Sequence, residues 1–179
     1  MDQRLTARIS IVTVSDRASR GDYEDKGGPG AEAWLRDVLT SEVEITRSIV
    51  PDGRDVVAAK LRELVEGGAD LILVTGGTGP APRDQTPEAV MDVAEKELEG
   101  FGEEMRRASL AEVPTAILSR QTAVIRDATL IITLPGKPAA IATCLNAVFA
   151  AVPYCLDLIG AGRIETDPTK IKAFRPKSG

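Results

Sequence analysis

The chain has 179 residues, 43% of them hydrophobic and 27% charged, and a net charge of −5. It can bury a sizeable core, and it is too acidic for the broad basic face that nucleic acid or an anionic membrane requires. It has no histidine, which excludes serine–histidine and cysteine–histidine catalysis and histidine-ligated metals, leaving carboxylates, hydroxyls, amides, lysine, arginine and hard cations.

The N-terminus "MDQRLTARIS" carries an acidic residue at once and no apolar run, so no secretory signal is expected and a cytoplasmic location follows. Residues 8–15, "RISIVTVS", are β-branched and nearly all apolar, which predicts a buried strand ending at Ser15-Asp16. A polar, glycine-rich loop, "DRASRGDYEDKGGPG", precedes a helix over "AEAWLRDVL". "EVEITRSIV" reads as a second strand, closed by Pro51-Asp52-Gly53. Residues 55–66 form an amphipathic helix with Val56, Ala59, Leu61 and Leu64 toward the core, stopped by Gly67-Gly68. A third strand, "DLILVT", runs into Gly76-Gly77-Thr78-Gly79, and the next helix starts with Thr86 as cap and Pro87 in its first position.

Strand followed by helix, three times over, predicts a parallel sheet with helices on both faces. "GFGEEMRRASLAEV" reads as helix, "TAVIRDATLIITLPG" as two short strands about a turn near Asp127, and "KPAAIATCLNAVFAAV" as helix. The long apolar stretch 139–159 is interrupted by Asn146, Pro153 and Asp157, so a buried helix pair is expected rather than a membrane span. Cys144 and Cys155 have no metal or redox spacing and read as reduced, buried thiols. The tail from Gly160 is polar and irregular. The expectation is one three-layer α/β domain over residues 1–179, its sheet mostly parallel.

In open parallel sheets ligands bind beyond the carboxyl ends of the strands. That rule gathers Ser15 and Asp16, then Asp52, then the glycine loop with Asp84, then Pro135-Gly136. Glycine amides of residues 76, 77 and 79 with the hydroxyls of Thr75 and Thr78 suit a phosphate. The loop lacks the lysine of the Walker A motif, so another cation is needed. Asp52 and Asp84 would supply a magnesium site, since that ion takes few carboxylates plus phosphate oxygens. Arg83 is a further candidate cation. Taken singly, the glycine loop also reads as a plain turn, and Asp16, Asp52 and Asp84 as turn or capping residues. Spacing alone reaches a phosphate-binding α/β enzyme.

"VTVSDRASRGDYEDKGGPGAEAWL", "IVPDGRD", "LVTGGTGPAPRDQTPEA", "EGFGEEMRRASL", "PTAILSRQTAVIRDATLIITLPGKPAAI" and "AFRPKS" together resemble the MogA-type molybdopterin adenylyltransferases. The MoaB proteins and the gephyrin G domain are related to these. The match runs in order from about residue 8 to the C-terminus; it departs in an extra glycine in "KGGPG" and in a short passage between Asn146 and Pro153, where some members carry an insertion. The resemblance implies a magnesium-dependent transfer of AMP from ATP to the terminal phosphate of molybdopterin, releasing pyrophosphate. It implies that Asp52 and Asp84 are the aspartates required for turnover, holding metal and ATP phosphates. Ser119 and Pro135-Gly136 then match positions lining the pterin and nucleotide pocket, and Ser15 and Asp16 complete the substrate contacts. It further implies a homotrimer and transfer to a molybdate-inserting protein. A pterin-binding paralogue without turnover, and a trimerising scaffold, are the competing readings.

Overall fold

The computed structural model describes residues 3–178. In chain order the elements are β1 (Ala7–Val14), α1 (Asp16–Ser19), α2 (Gly27–Val38), β2 (Val43–Val50), α3 (Arg54–Glu66), β3 (Leu71–Thr75), α4 (Thr86–Val93), β4 (Lys96–Glu97), α5 (Glu99–Leu110), β5 (Ala123–Arg126), β6 (Thr129–Leu134), α6 (Pro138–Val148) and α7 (Val152–Ile159). Short 3-10 turns occupy Pro114–Leu118 and Phe149–Ala151.

β1 is buried at every residue but Arg8, and β3 and β6 are buried throughout. Such continuous apolar runs belong to strands covered on both faces. They form one sheet of order β2-β1-β3-β6-β5-β4. The first four are parallel, and β5 and β4 continue the sheet antiparallel.

Side-chain alternation along these strands builds two cores. Ile9, Ile11, Leu71, Leu73, Leu130 and Ile132 meet residues of α2, α5, α6 and α7 on one face. Val12, Val14, Ile72, Val74 and Ile131 meet α3 and α4 on the other. Each such side chain contributes about 1.5–3 kcal/mol by leaving water. The result is the expected three-layer arrangement.

The apolar run Pro138–Ile159 is long and apolar enough to cross a membrane, with a mean hydropathy of 1.8. Here it is split by the turn at Phe149–Ala151 into α6 and α7, and Ile141, Cys144, Leu145, Val148, Phe149, Val152 and Leu156 lie in the core. The irregular tail is anchored as well. Ile164 and Ile171 join that core, and the buried Asp70 carboxylate accepts from Gly162 N at 2.8 Å and Arg8 N at 2.7 Å. That carboxylate lies at the opposite end of β3 from the glycine loop and is structural.

Several local expectations need correction. α2 begins at Gly27, inside the expected loop, because Asp25 accepts from Gly28 N at 3.1 Å and from the Thr13 hydroxyl at 2.8 Å. The core face of α3 is Val57, Ala58, Leu61 and Val65, whereas Val56 and Ala59 face outward. Val56-Val57-Ala58-Ala59 are four successive apolar residues, which leaves the helical phase undefined. Thr86 does not cap α4; Gln85 holds the cap position, and the Thr86 hydroxyl donates to Gly76 O at 2.9 Å. Ser15 lies beyond β1 and caps α1 by accepting from Ala18 N.

Candidate active site

β1, β3 and β6 end level with one another, Thr13 pairing with Thr75 and Thr75 with Leu134. The segments leaving these strands are therefore brought together. Ser15 N donates to Val50 O at 2.9 Å and Gly76 N to Leu134 O at 3.1 Å. Asp16 and Asp52 cross-brace, each carboxylate accepting from the other's backbone amide at 2.9 and 3.1 Å. Arg83 donates twice to the Asp16 carboxylate, at 3.0 and 3.1 Å, and once to Asp52 O at 2.8 Å. The hydrogen bond from Arg83 holds the Asp16 carboxyl below its ordinary range.

The glycine loop turns through two left-handed residues, Gly76 at φ +90° and Gly77 at φ +66°. A Cβ on Gly76 would lie 2.4 Å from Val14 O, so the loop is pressed against the end of β1. One on Gly77 would lie 2.3 Å from the Thr86 hydroxyl and 3.3 Å from Asp52 Oδ1. The second distance puts the Asp52 carboxylate against the loop. Asp84 sits at its far end, accepting from Ala81 N at 3.0 Å. A Cβ on Gly79 would lie 2.8 Å from Asp84 Oδ2.

Two cavities meet at this loop. The smaller, of about 250 Å³, is lined by the basic Arg17, Lys26 and Lys137, the acidic Asp25, and Ser15, Thr75, Gly76 and Gly136 among others. The larger, of about 490 Å³, takes in Gly76, Gly77, Thr78, Gly79, Asp84, Ser119, Pro135, Gly136 and Lys137, with Leu118 and Val113 on its apolar side. Gly76, Gly136 and Lys137 belong to both. The Thr75 hydroxyl, on a residue 1% exposed, is the single buried side-chain polar atom without a hydrogen-bond partner among the described residues. A buried hydroxyl is normally satisfied, and this one lies where the smaller cavity reaches the strand end. Gly27 closes in on the same spot, since a Cβ there would lie 2.8 Å from Gly136 O and 3.4 Å from the Thr75 hydroxyl.

The glycine loop itself carries no lysine. The fold supplies cations from elsewhere: Arg17 of α1, and Lys26 and Lys137, the cap residues of α2 and α6. The N-termini of two helices thus open on the smaller cavity, adding backbone amides and the positive ends of their dipoles. No one-dimensional spacing links residues 17, 26 and 137. Asp25 and Gly27 were also missed, because "DKGGPG" reads as loop.

Not every expected residue lines a cavity. Asp16 and Asp52 border neither; they brace each other, with Asp52 also against Gly77. Ser119 lies in the wall of the larger cavity, its hydroxyl donating to Gln121 Oε1 at 2.8 Å. The three expected carboxylates do not form a cage: among the described residues no group of three or more Asp, Glu or Cys side chains is placed to hold a metal. Asp52 and Asp84 offer hard oxygen donors only, a set that fits magnesium sharing its sphere with phosphate and water. A larger hollow of about 600 Å³ lies beside Leu98, Phe101 and Ala147, away from the glycine loop and without a lysine or arginine in its lining.

The chain is similar to known proteins in sequence and in fold. Residues 10–154 match the family model described as "Probable molybdopterin binding domain". The chain is 50% identical over 184 residues to the molybdopterin adenylyltransferase of Haemophilus influenzae, covering 96% of this chain and 93% of that protein. Among solved structures, it is similar to the molybdopterin biosynthesis enzyme MoaB of Thermus thermophilus (TM-score 0.79, 39% identity, 86% of this chain and 96% of the other). It is also similar to the molybdopterin biosynthesis Mog protein of Mycobacterium ulcerans (TM-score 0.80, 35% identity, 86% of this chain and 99% of the other).

Proposed function

The chain belongs to the family of molybdopterin-binding domains, and from that membership we propose that it catalyses the adenylylation of molybdopterin in molybdenum cofactor biosynthesis. ATP and molybdopterin are the substrates, and residues 1–179 act as one domain. The observation that carries this reading is the pair of cavities that share Gly76, Gly136 and Lys137 in their walls, one with three basic side chains and one acidic, the other partly apolar. A two-substrate transfer between phosphates needs this arrangement, with two anions held end to end.

The smaller cavity suits the triphosphate. Lys26, Lys137, Arg17, the amides at the starts of α2 and α6, and the Thr75 hydroxyl all offer donors. The larger cavity suits the pterin, with Ser119 and Pro135 in its wall. The Gly76–Gly79 amides and Thr78 then contact the phosphates where the two substrates meet, and Ser15 and Asp16 order the edge beside them. A terminal phosphate oxygen of molybdopterin attacks the α-phosphorus of ATP. The new P–O bond forms as the bond to the bridging oxygen breaks, and its electrons leave with pyrophosphate. The nucleophile is already anionic at neutral pH, so no general base is required and a chain without histidine is equipped for the step.

Asp52 and Asp84 are the residues we assign to magnesium, which when bound neutralises charge on the triphosphate. The protein's own part is to keep both carboxylates against the glycine loop. A cytoplasmic homotrimer that passes its product to a molybdate-inserting protein completes the proposal. Mixing the protein with ATP, magnesium and molybdopterin tests it. Pyrophosphate release is expected; binding of both substrates without release indicates a pterin-binding module, and binding of neither a scaffold.

A further inference from the structure

Arg120 follows Ser119 and is absent from the lining of the larger cavity; with Ser119 and Gln121 it lines a further polar hollow of about 450 Å³. Its backbone amide donates to Thr78 O at 2.8 Å. Its guanidinium donates to Gly79 O at 3.0 Å and to Asp84 O at 2.7 Å. The same group is paired with the Glu88 carboxylate in the first turn of α4, and the hydrogen bond from Arg120 holds that carboxyl below its ordinary range. One residue therefore gathers the carbonyls on both sides of the turn between Gly79 and Asp84 and ties them to a helix.

The loop has few other anchors over this stretch. Asp84 N donates to Ala81 O and Ala81 N to the Asp84 carboxylate, bonds that lie inside the turn and fix its shape but not its place. Pro80, Ala81 and Pro82 are exposed, while Arg83 reaches from the turn to the Asp16 carboxylate and to Asp52 O. Thr86 ties Gly76 and Gly77 to the start of α4, and Arg120 does the same for the Gly79 and Asp84 carbonyls through Glu88. The planar fork of a guanidinium meets three acceptors in different directions, which a lysine ammonium cannot reproduce.

We infer that Arg120, held by Glu88, is a positioning residue for Asp84 and the glycine loop, coupling the pterin-side wall to the phosphate end of the site. This rests on the proposed role of Asp84. It acts through backbone carbonyls and touches neither substrate.

The test compares Arg120→Met, Arg120→Lys, Glu88→Gln and Asp84→Ala for pyrophosphate release, melting temperature and calorimetric ATP binding. Misplacement of about 1 Å can cost about a hundredfold in rate, so Arg120→Met should lose roughly 30- to 100-fold in kcat per folded molecule with KM for both substrates and ATP affinity changed less than about threefold. Arg120→Lys should recover little, and Glu88→Gln should show the same kcat-directed loss at about three- to tenfold. Glu88→Gln carries the test should Arg120→Met fail to fold. An Arg120 or Glu88 variant that melts earlier yet keeps its kcat per folded molecule overturns the inference alone, provided Asp84→Ala is inactive. Retained turnover in Asp84→Ala overturns the reading of the site and this inference with it.

Discussion

Asp52 and Asp84 both hold backbone amides, that of Asp16 and that of Ala81, yet their carboxylates also lie against Gly77 and Gly79 of the glycine loop. Replacing either with alanine removes one local hydrogen bond, a loss of about 1 kcal/mol in stability. The loss in adenylyl transfer should be far larger, about 10²- to 10³-fold, which separates a site role from a turn role. Melting curves and initial rates on the same preparations check this; turnover near the parent rate in both variants would contradict it. The missing imidazole gives a second expectation. Asp16 is held below its ordinary range by Arg83, so the Asp16–Arg83 pair is present above the unfolded aspartate's pKa and is lost only as pH falls through the lower folded value. The Cys155 thiol is pushed up by burial. Neither group changes charge near neutrality. The rate should rise with the second ionisation of the substrate phosphate near about pH 6 and stay flat to about pH 8, where a histidine-dependent enzyme would still show its own inflection. A falling limb in that range, measured at constant magnesium, would point to a protein acid that has no place in this mechanism.

Among the elements, the glycine loop is the one whose sequence and geometry agree most closely. Gly77 is left-handed, and any side chain there meets the buried Thr86 hydroxyl that anchors Gly76 O. Gly77→Val should be strained by about 1–3 kcal/mol and should also displace Thr86 and Asp52. Activity per folded molecule should therefore fall at least about tenfold beyond the loss of folded protein, since small displacements of a site are costly. Melting temperature and pyrophosphate release from one sample decide this; earlier melting with full specific activity would make the loop an ordinary turn. The strand ends were legible because nearly continuous apolar runs in "RISIVTVS" and "DLILVT" mark buried parallel strands, and the polar residues after them fall at one sheet edge by topology. The start of α2 was not, because glycine and proline in "KGGPG" are poor helix formers. They are tolerated there since Pro29 lies in the first turn, and Gly27 and Gly28 leave room for Gly136 O, Thr13 and Asp25. The face of α3 was misassigned because a run of four apolar residues carries no phase.

At the scale of the molecule, a mostly parallel sheet buried on both faces brings residues distant in sequence to one edge. Arg17, Lys26 and Lys137 share a cavity with Thr75, an arrangement that no local motif announces and that supplies the charge the glycine loop lacks. The sequence pattern pointed to phosphate without locating these side chains. If the chain is an adenylyltransferase, transfer must pass through the α-phosphorus of the nucleotide. Parallel reactions with ATP labelled at the α- or the γ-phosphate, each supplied with magnesium and molybdopterin, measure this directly. The α-label should appear in the pterin product and the γ-label only in released pyrophosphate. A γ-label on the pterin, or no label there under conditions where both substrates bind, would contradict adenylyl transfer at this site.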